Sequence, residues 1–156
     1  MKEKDNPGIY IPPPLIYAAI FLIALFLQKK ASIDDTVFKT RLTMIPGVLF
    51  FAAAVFFLSR SLVQFIRTRN SVVTVKPAES LQTSGIYRAT RNPMYVGLVL
   101  VYLGLTCLIG NWWNIILLPV LLLTIQEYVM KREEKYLTRK FGPEYINYKQ
   151  KVRRWL

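Results

Sequence analysis

The chain of 156 residues contains no histidine, one cysteine and only nine acidic residues against 21 Lys and Arg. Without histidine there is no histidine-based catalytic triad, no histidine proton shuttle and no histidine-ligated zinc. The lone Cys107 has no intrachain disulfide partner and no thiolate cluster around it. A glycine-rich phosphate loop of the Walker or dinucleotide type is also missing. The charge imbalance of +12 would suit nucleic acid. A basic tail beside an apolar segment, however, more often meets anionic lipid headgroups. Neither nucleic acid nor a metal is expected as a partner.

What the chain has in quantity is apolar sequence: 53% of its residues are hydrophobic. Charge and oil are segregated. Ile9 to Leu27 and Met44 to Leu58 carry no charge, and neither does Pro93 to Gln126, a run of 34 residues. Crossing the hydrocarbon core takes roughly 20 apolar residues. The expected fold is therefore all-α, a polytopic integral membrane protein with about four transmembrane helices. The first lies near Ile9 to Leu27, with Pro12, Pro13 and Pro14 fixing an extended approach. No small-residue cleavage site follows it, so it reads as a retained helix rather than a signal peptide. The second runs from about Leu42 to Phe65. The block Met94 to Met130 is too long for one span at 1.5 Å per residue. It is broken at Gly110-Asn111-Trp112-Trp113-Asn114, a turn with paired interfacial tryptophans. That predicts a helical hairpin, Met94 to Ile109 and Ile115 to Met130. Of the Lys and Arg flanking the spans, sixteen fall on one side and four on the other. By the positive-inside rule both termini face the cytoplasm, across the inner membrane if the cell is prokaryotic.

Polar chemistry is confined to two segments on that same side. In the first, Ser80 to Gly97, Gly85 suits a tight turn of positive φ. Asn92 and Pro93 suit an N-cap and first helical turn. A helix N-terminus with free N–H groups receives a carboxylate well, and Arg88 and Arg91 stand nearby. In the second, Gln126 to Tyr145, the fourth span emerges into a charged helix. Glu127 pairs naturally with Lys131 four residues on, and Glu134 with Lys131 or Lys135.

Together these segments read Leu81-x-Thr83-x-Gly85-x-Tyr87-Arg88, Arg91-Asn92-Pro93-Met94-Tyr95-x-Gly97, Glu133-Glu134-x-x-Leu137 and Phe141-Gly142-x-x-Tyr145-x-x-Tyr148. In that order the pattern resembles the isoprenylcysteine carboxyl methyltransferase and phospholipid methyltransferase superfamily, over residues 76 to 154. The resemblance implies one membrane methyltransferase domain, 1–156, with two N-terminal spans in 1–66. Cytosolic C-terminal helices would close a pocket for S-adenosyl-L-methionine. By position, Glu79, Ser80, Leu81, Gln82, Tyr87, Asn92, Pro93, Met94, Tyr95, Glu133 and Glu134 would line the cofactor site. Glu133 would hold the cofactor's amino group, and Arg91, Asn92 and Glu133 would carry catalysis. The acceptor would be a membrane lipid or a prenylated, lipid-like molecule reached from the bilayer. Two positions depart from the pattern: Asn92 stands where many members carry histidine, and Val129 where isoprenylcysteine enzymes place an arginine. Two other readings share the C-terminal pattern, a nicotinamide-dependent membrane reductase of the sterol reductase type and a non-catalytic protein of the same fold.

Overall fold

The computed structural model describes residues 6–68 and 77–156. Lys2, Lys4, Arg69 and Lys76, which enter the charge count above, lie outside the described residues. The secondary structure of the described residues is entirely helical. Helix α1 (Pro13–Lys30) starts with Pro12 extended at its N-cap and Pro13 and Pro14 inside the first turn, where a missing N–H costs nothing. The proline run therefore starts the helix rather than preceding it. Lys29 and Lys30 occupy the last turn, where cations complement the helix dipole. A short 3₁₀ turn, Thr36–Lys39, leads into α2 (Arg41–Arg67).

Helix α3 (Pro93–Ile109) begins at Asn92-Pro93 and ends at Gly110, whose N–H returns to the Thr106 carbonyl at 2.9 Å. Helix α4 (Trp112–Thr124) starts three residues before the expected Ile115. Asn111 explains the difference, because its side-chain oxygen accepts from Trp113 N at 2.9 Å and caps the helix there. A π-helical turn, Ile125–Met130, joins α4 to α5 (Lys131–Phe141) as one continuous 30-residue helix. Gly142 then breaks the chain into α6 (Pro143–Lys151).

Three of these helices are long and apolar enough to cross a membrane: Pro13–Lys30, Arg41–Arg67 and Trp112–Phe141. α3, at 17 residues, is a shorter apolar helix packed among them. Side chains such as Leu49, Val55 and Leu123 are about 60% exposed, which would be unfavourable in water and is the proper surface toward lipid. The protein is a polytopic membrane protein.

The two halves of the expected hairpin pack more on other helices than on each other. α3 lies along α2, and α4 lies along α1. Glycine makes the first of these contacts possible. A Cβ on Gly97 would sit 2.7 Å from Leu58, and one on Gly104 2.8 Å from the Phe51 ring. Small residues at such a seam let two backbones approach closely, the main source of attraction between helices in lipid. At one end, Trp112 Nε1 donates to the Asp34 carbonyl (2.9 Å) and Trp113 Nε1 to the Ala31 carbonyl (2.8 Å), tying the hairpin turn to the α1–α2 loop. The polar segments collect at the other end.

Candidate functional site

At that end a cavity of about 380 Å³ opens among the start of α1, the 78–95 segment, α5 and α6. Its size suits a small molecule. Five tyrosines enclose it: Tyr87, Tyr95, Tyr136, Tyr145 and Tyr148. Gly85 opens the 3₁₀ turn Gly85–Arg88 at φ +59°, a conformation that favours glycine and that carries Tyr87 inward. Tyr148 then fixes this turn by donating to the Tyr87 carbonyl at 2.6 Å. Burial pushes the Tyr87 phenol well above its ordinary pKa, so it stays neutral.

The adjacent carboxylates Glu133 and Glu134 sit in opposite environments. Glu134 is buried and surrounded by cations. Arg154 donates to it from Nε and Nη2 at 2.7 and 2.9 Å, Arg91 Nη2 lies 3.2 Å away, and Lys149 Nζ lies 3.5 Å away. Burial alone would raise its pKa, but the Arg154 bonds and the three positive charges outweigh that and hold it below the usual carboxylate range. The expected partners Lys131 and Lys135 are not the ones it takes. Lys131 turns to Glu127 at 2.6 Å instead, as the i+4 spacing suggests.

Glu133 faces the cavity, and no Lys or Arg forms an ion pair with it among the described residues. Its one hydrogen-bond donor there is Tyr95, whose hydroxyl lies 2.7 Å from Oε1. Burial, partly offset by Tyr95 and reinforced by the charge of Glu134, pushes Glu133 up to about 7. A desolvated carboxylate with no cation beside it has the chemistry to receive a ligand ammonium.

The cavity brings together Ser80, Leu81, Gln82, Tyr87 and Arg91 from the first polar segment. Asn92, Pro93, Met94 and Tyr95 join them at the start of α3, and Glu133 and Glu134 from α5. Glu79 is the exception. It is exposed and absent from the lining, because it lies between Ala78 and Ser80, whose side chains take the cavity side. Arg91 is almost wholly buried and is held by Glu134 and by the Tyr145 hydroxyl (3.2 Å), while its Nε has no hydrogen-bond partner. Asn92 does not cap α3 with its side chain. Its Nδ2 donates to the Arg154 carbonyl at 2.9 Å, a bond shared by the Thr90 hydroxyl at 3.0 Å. The N-terminus of α3 also offers less to an anion than its sequence suggests. Pro93 has no N–H, and those of Tyr95 and Val96 return to the Asn92 carbonyl at 3.0 and 3.1 Å.

Two contributors were not legible as site residues. The N-terminal segment runs across the helix junction, with Tyr10 N and Ile11 N donating to the Tyr128 hydroxyl and Arg132 Nη1 to the Gly8 carbonyl at 2.8 Å. It thereby brings Pro7 and Pro12–Pro14 to the cavity wall. The C-terminal residues do not line the cavity but brace what surrounds it: Arg153 O accepts from Arg91 N at 2.9 Å, and Trp155 Nε1 donates to Gln126 at 3.3 Å. Neither carries a local motif, and the Pro12–Pro14 run was the only signal. Val129 is completely buried in the apolar core and is not part of the cavity lining.

Fold and site together define an all-helical membrane protein with a tyrosine-rich pocket at one end, built around a carboxylate that has no cation partner among the described residues. The chain belongs to the phospholipid methyltransferase family, which its residues 42–144 match. It is 47% identical over 66 residues to an uncharacterized protein of Haemophilus influenzae, covering 40% of this chain and all of that one. It is also 38% identical over 72 residues to a protein-S-isoprenylcysteine O-methyltransferase of Schizosaccharomyces pombe. That alignment covers 46% of this chain and 30% of the yeast enzyme. No solved structure matches the chain.

Proposed function

We propose that the protein is an S-adenosyl-L-methionine-dependent methyltransferase acting at the membrane on a lipid or lipidated acceptor. The observation that carries this reading is Glu133, a cavity-facing carboxylate with Tyr95 as its one hydrogen-bond donor and no cation among the described residues. The residues present fit such a cofactor. Glu133 suits its ammonium, and the surrounding tyrosine faces suit a sulfonium by cation–π attraction. The cofactor supplies an activated methyl group. The protein supplies proximity and a dry site, which methyl transfer needs more than acid–base chemistry. Glu133 and Tyr95 bind. Asn92, anchored through its Nδ2 to the Arg154 carbonyl, holds the α3 turn at the cavity wall. Arg91 acts as a positioning residue, since its guanidinium is engaged by Glu134 and Tyr145. The pocket end faces the cytoplasm in this reading, in line with the excess of Lys and Arg on that side.

The acceptor's headgroup is not a carboxylate held by an arginine at position 129, because Val129 is core. Its neighbours do not substitute: Arg132 binds the Gly8 carbonyl and lies over the Tyr128 ring at 4.5 Å, and Lys131 binds Glu127. A phospholipid-like acceptor fits this arrangement better than a prenylated cysteine. The test is calorimetric titration of S-adenosylhomocysteine into detergent-purified protein, beside the Glu133→Gln variant and a nicotinamide cofactor. Micromolar binding lost in the variant is expected. No binding by folded wild type, or binding of the nicotinamide instead, would overturn the reading.

A further inference from the structure

On the outer side of α5, facing away from the cavity, lies an open groove lined by Lys131, Lys135, Arg139, Lys149 and Arg154, with Glu134 as its acidic member. Glu134 lines both the cavity and the groove. Glu127 holds Lys131, and Arg154 and Lys149 share Glu134 with Arg91, so the five cations of the groove still outnumber these two carboxylates. Lys135 has no ion-pair partner among the described residues and is exposed, and the Lys149 side chain is about half exposed. The depth of the groove follows from helix length. The continuous helix Trp112–Phe141 has 30 residues, about 45 Å at 1.5 Å per residue. The hydrocarbon core takes up about 30 Å of that. The excess is at the α5 end, where the charges begin with the Glu127–Lys131 pair, so α5 passes through the headgroup layer. A positive groove held at that depth meets phosphates of the surrounding leaflet before any soluble anion.

We propose that this groove is a binding site for the phosphate headgroup of an anionic phospholipid, a second lipid distinct from the methyl acceptor. The proposal goes beyond the methyltransferase reading and does not depend on it. Its test uses the whole protein in a nonionic detergent, titrated by calorimetry with dihexanoyl-phosphatidylglycerol, with dihexanoyl-phosphatidylcholine and with inorganic phosphate. The variant is Lys135→Gln/Arg139→Gln, which removes two groove cations and leaves the partners of Glu134 in place. Helical circular dichroism and a monodisperse elution profile establish that it folds. A cation near an anionic lipid surface is worth about fivefold in affinity. Phosphatidylglycerol should therefore bind the wild type at least tenfold more tightly than phosphatidylcholine, and the double variant should weaken it by roughly thirtyfold. Equal affinity for the two lipids, or an unchanged double variant, would overturn the site. Inorganic phosphate binding as tightly as the anionic lipid would overturn the lipid as its occupant.

Discussion

If Glu133 receives a ligand ammonium, binding must be coupled to a proton, and the coupling has a calculable size. The carboxyl titrates at about 7 in the ligand-free protein, because it is desolvated and Tyr95 only partly offsets that. Only its ionised form attracts a cation. At pH 7 about half of the molecules must therefore lose a proton on binding, and at pH 6 about nine in ten. The apparent affinity for S-adenosylhomocysteine should fall about 25-fold between pH 7.5 and 5.5, a range in which the ligand's amino group keeps its charge. The assay is calorimetry at pH 7 in buffers of different ionisation enthalpy, where about half a proton per ligand should appear in the buffer. The chain contains no histidine to contribute a competing titration near neutrality. The Glu133→Gln variant should bind weakly and with no such slope. A flat affinity across this range in the wild type, or a slope that survives in the variant, would refute the reasoning.

The same raised pKa has a sign for stability. A carboxyl that titrates near 4.3 in the unfolded chain and near 7 when folded destabilises the ligand-free protein progressively as pH rises from about 4.5 to 7. Glu133→Gln should accordingly raise the melting temperature of the ligand-free protein at pH 8 and leave it unchanged at pH 4.5; equal shifts at both would contradict this. Glu134→Ala does the opposite, stranding the buried Arg91 without its carboxylate. Removing one member of a buried ion pair costs about 3–5 kcal/mol, so the melting temperature should fall sharply; a loss below about 1 kcal/mol would mean the set is solvated. Gly104→Ala should loosen α2 from α3 because its Cβ would stand 2.8 Å from the Phe51 ring. The companion change Phe51→Leu should recover part of that stability, and additive losses would show that the seam is not the cause. Val129→Arg should destabilise the core without conferring carboxylate recognition, since the side chain is fully buried; a stable variant with new activity on prenylated cysteine would show that α4 and α5 reorient.

The apolar elements were legible because they rest on composition and length alone. Uncharged runs give α1 to α4 within a few residues, and Asn92-Pro93 marks the start of α3. The inaccuracies are local. Asn111 and the proline run act from the helix boundary, so the helices at Trp112 and Pro13 start where capping and first-turn geometry allow. Packing was less legible, since nothing in the periodicity of so uniformly apolar a chain says that α3 lies on α2. The glycines at 97 and 104 carry that information, but only once their partner helix is known. The cavity residues of the 80–95 segment and α5 were legible as motifs. Pro7, Pro12–Pro14 and the bracing by Arg153 and Arg154 were not, because their contribution is made by contacts to the backbone across more than sixty positions in sequence.

The Glu133-Glu134 pair shows what a motif leaves open. Adjacent residues on a helix point about 100° apart, so the two cannot share one environment: Glu133 faces the cavity, while Glu134 lies between the cavity and the groove. The dipeptide does not say which takes which place. The choice is made by residues remote in the sequence: Arg154 and Lys149 arrive from the C-terminal end and, with Arg91, neutralise Glu134, while Tyr95 supplies Glu133 with a neutral donor only. The neutralised carboxylate anchors the C-terminal residues to the 90–92 loop. In the proposed reading Glu133, without a cation among the described residues, keeps its attraction for a ligand's positive charge, at a cost in stability that binding would relieve. Placing the two on consecutive residues ties these roles together, because a rotation of α5 that withdrew Glu133 from the cavity would also pull Glu134 from Arg91 and Arg154. The ion set around Glu134 thus fixes the orientation of the carboxylate beside it.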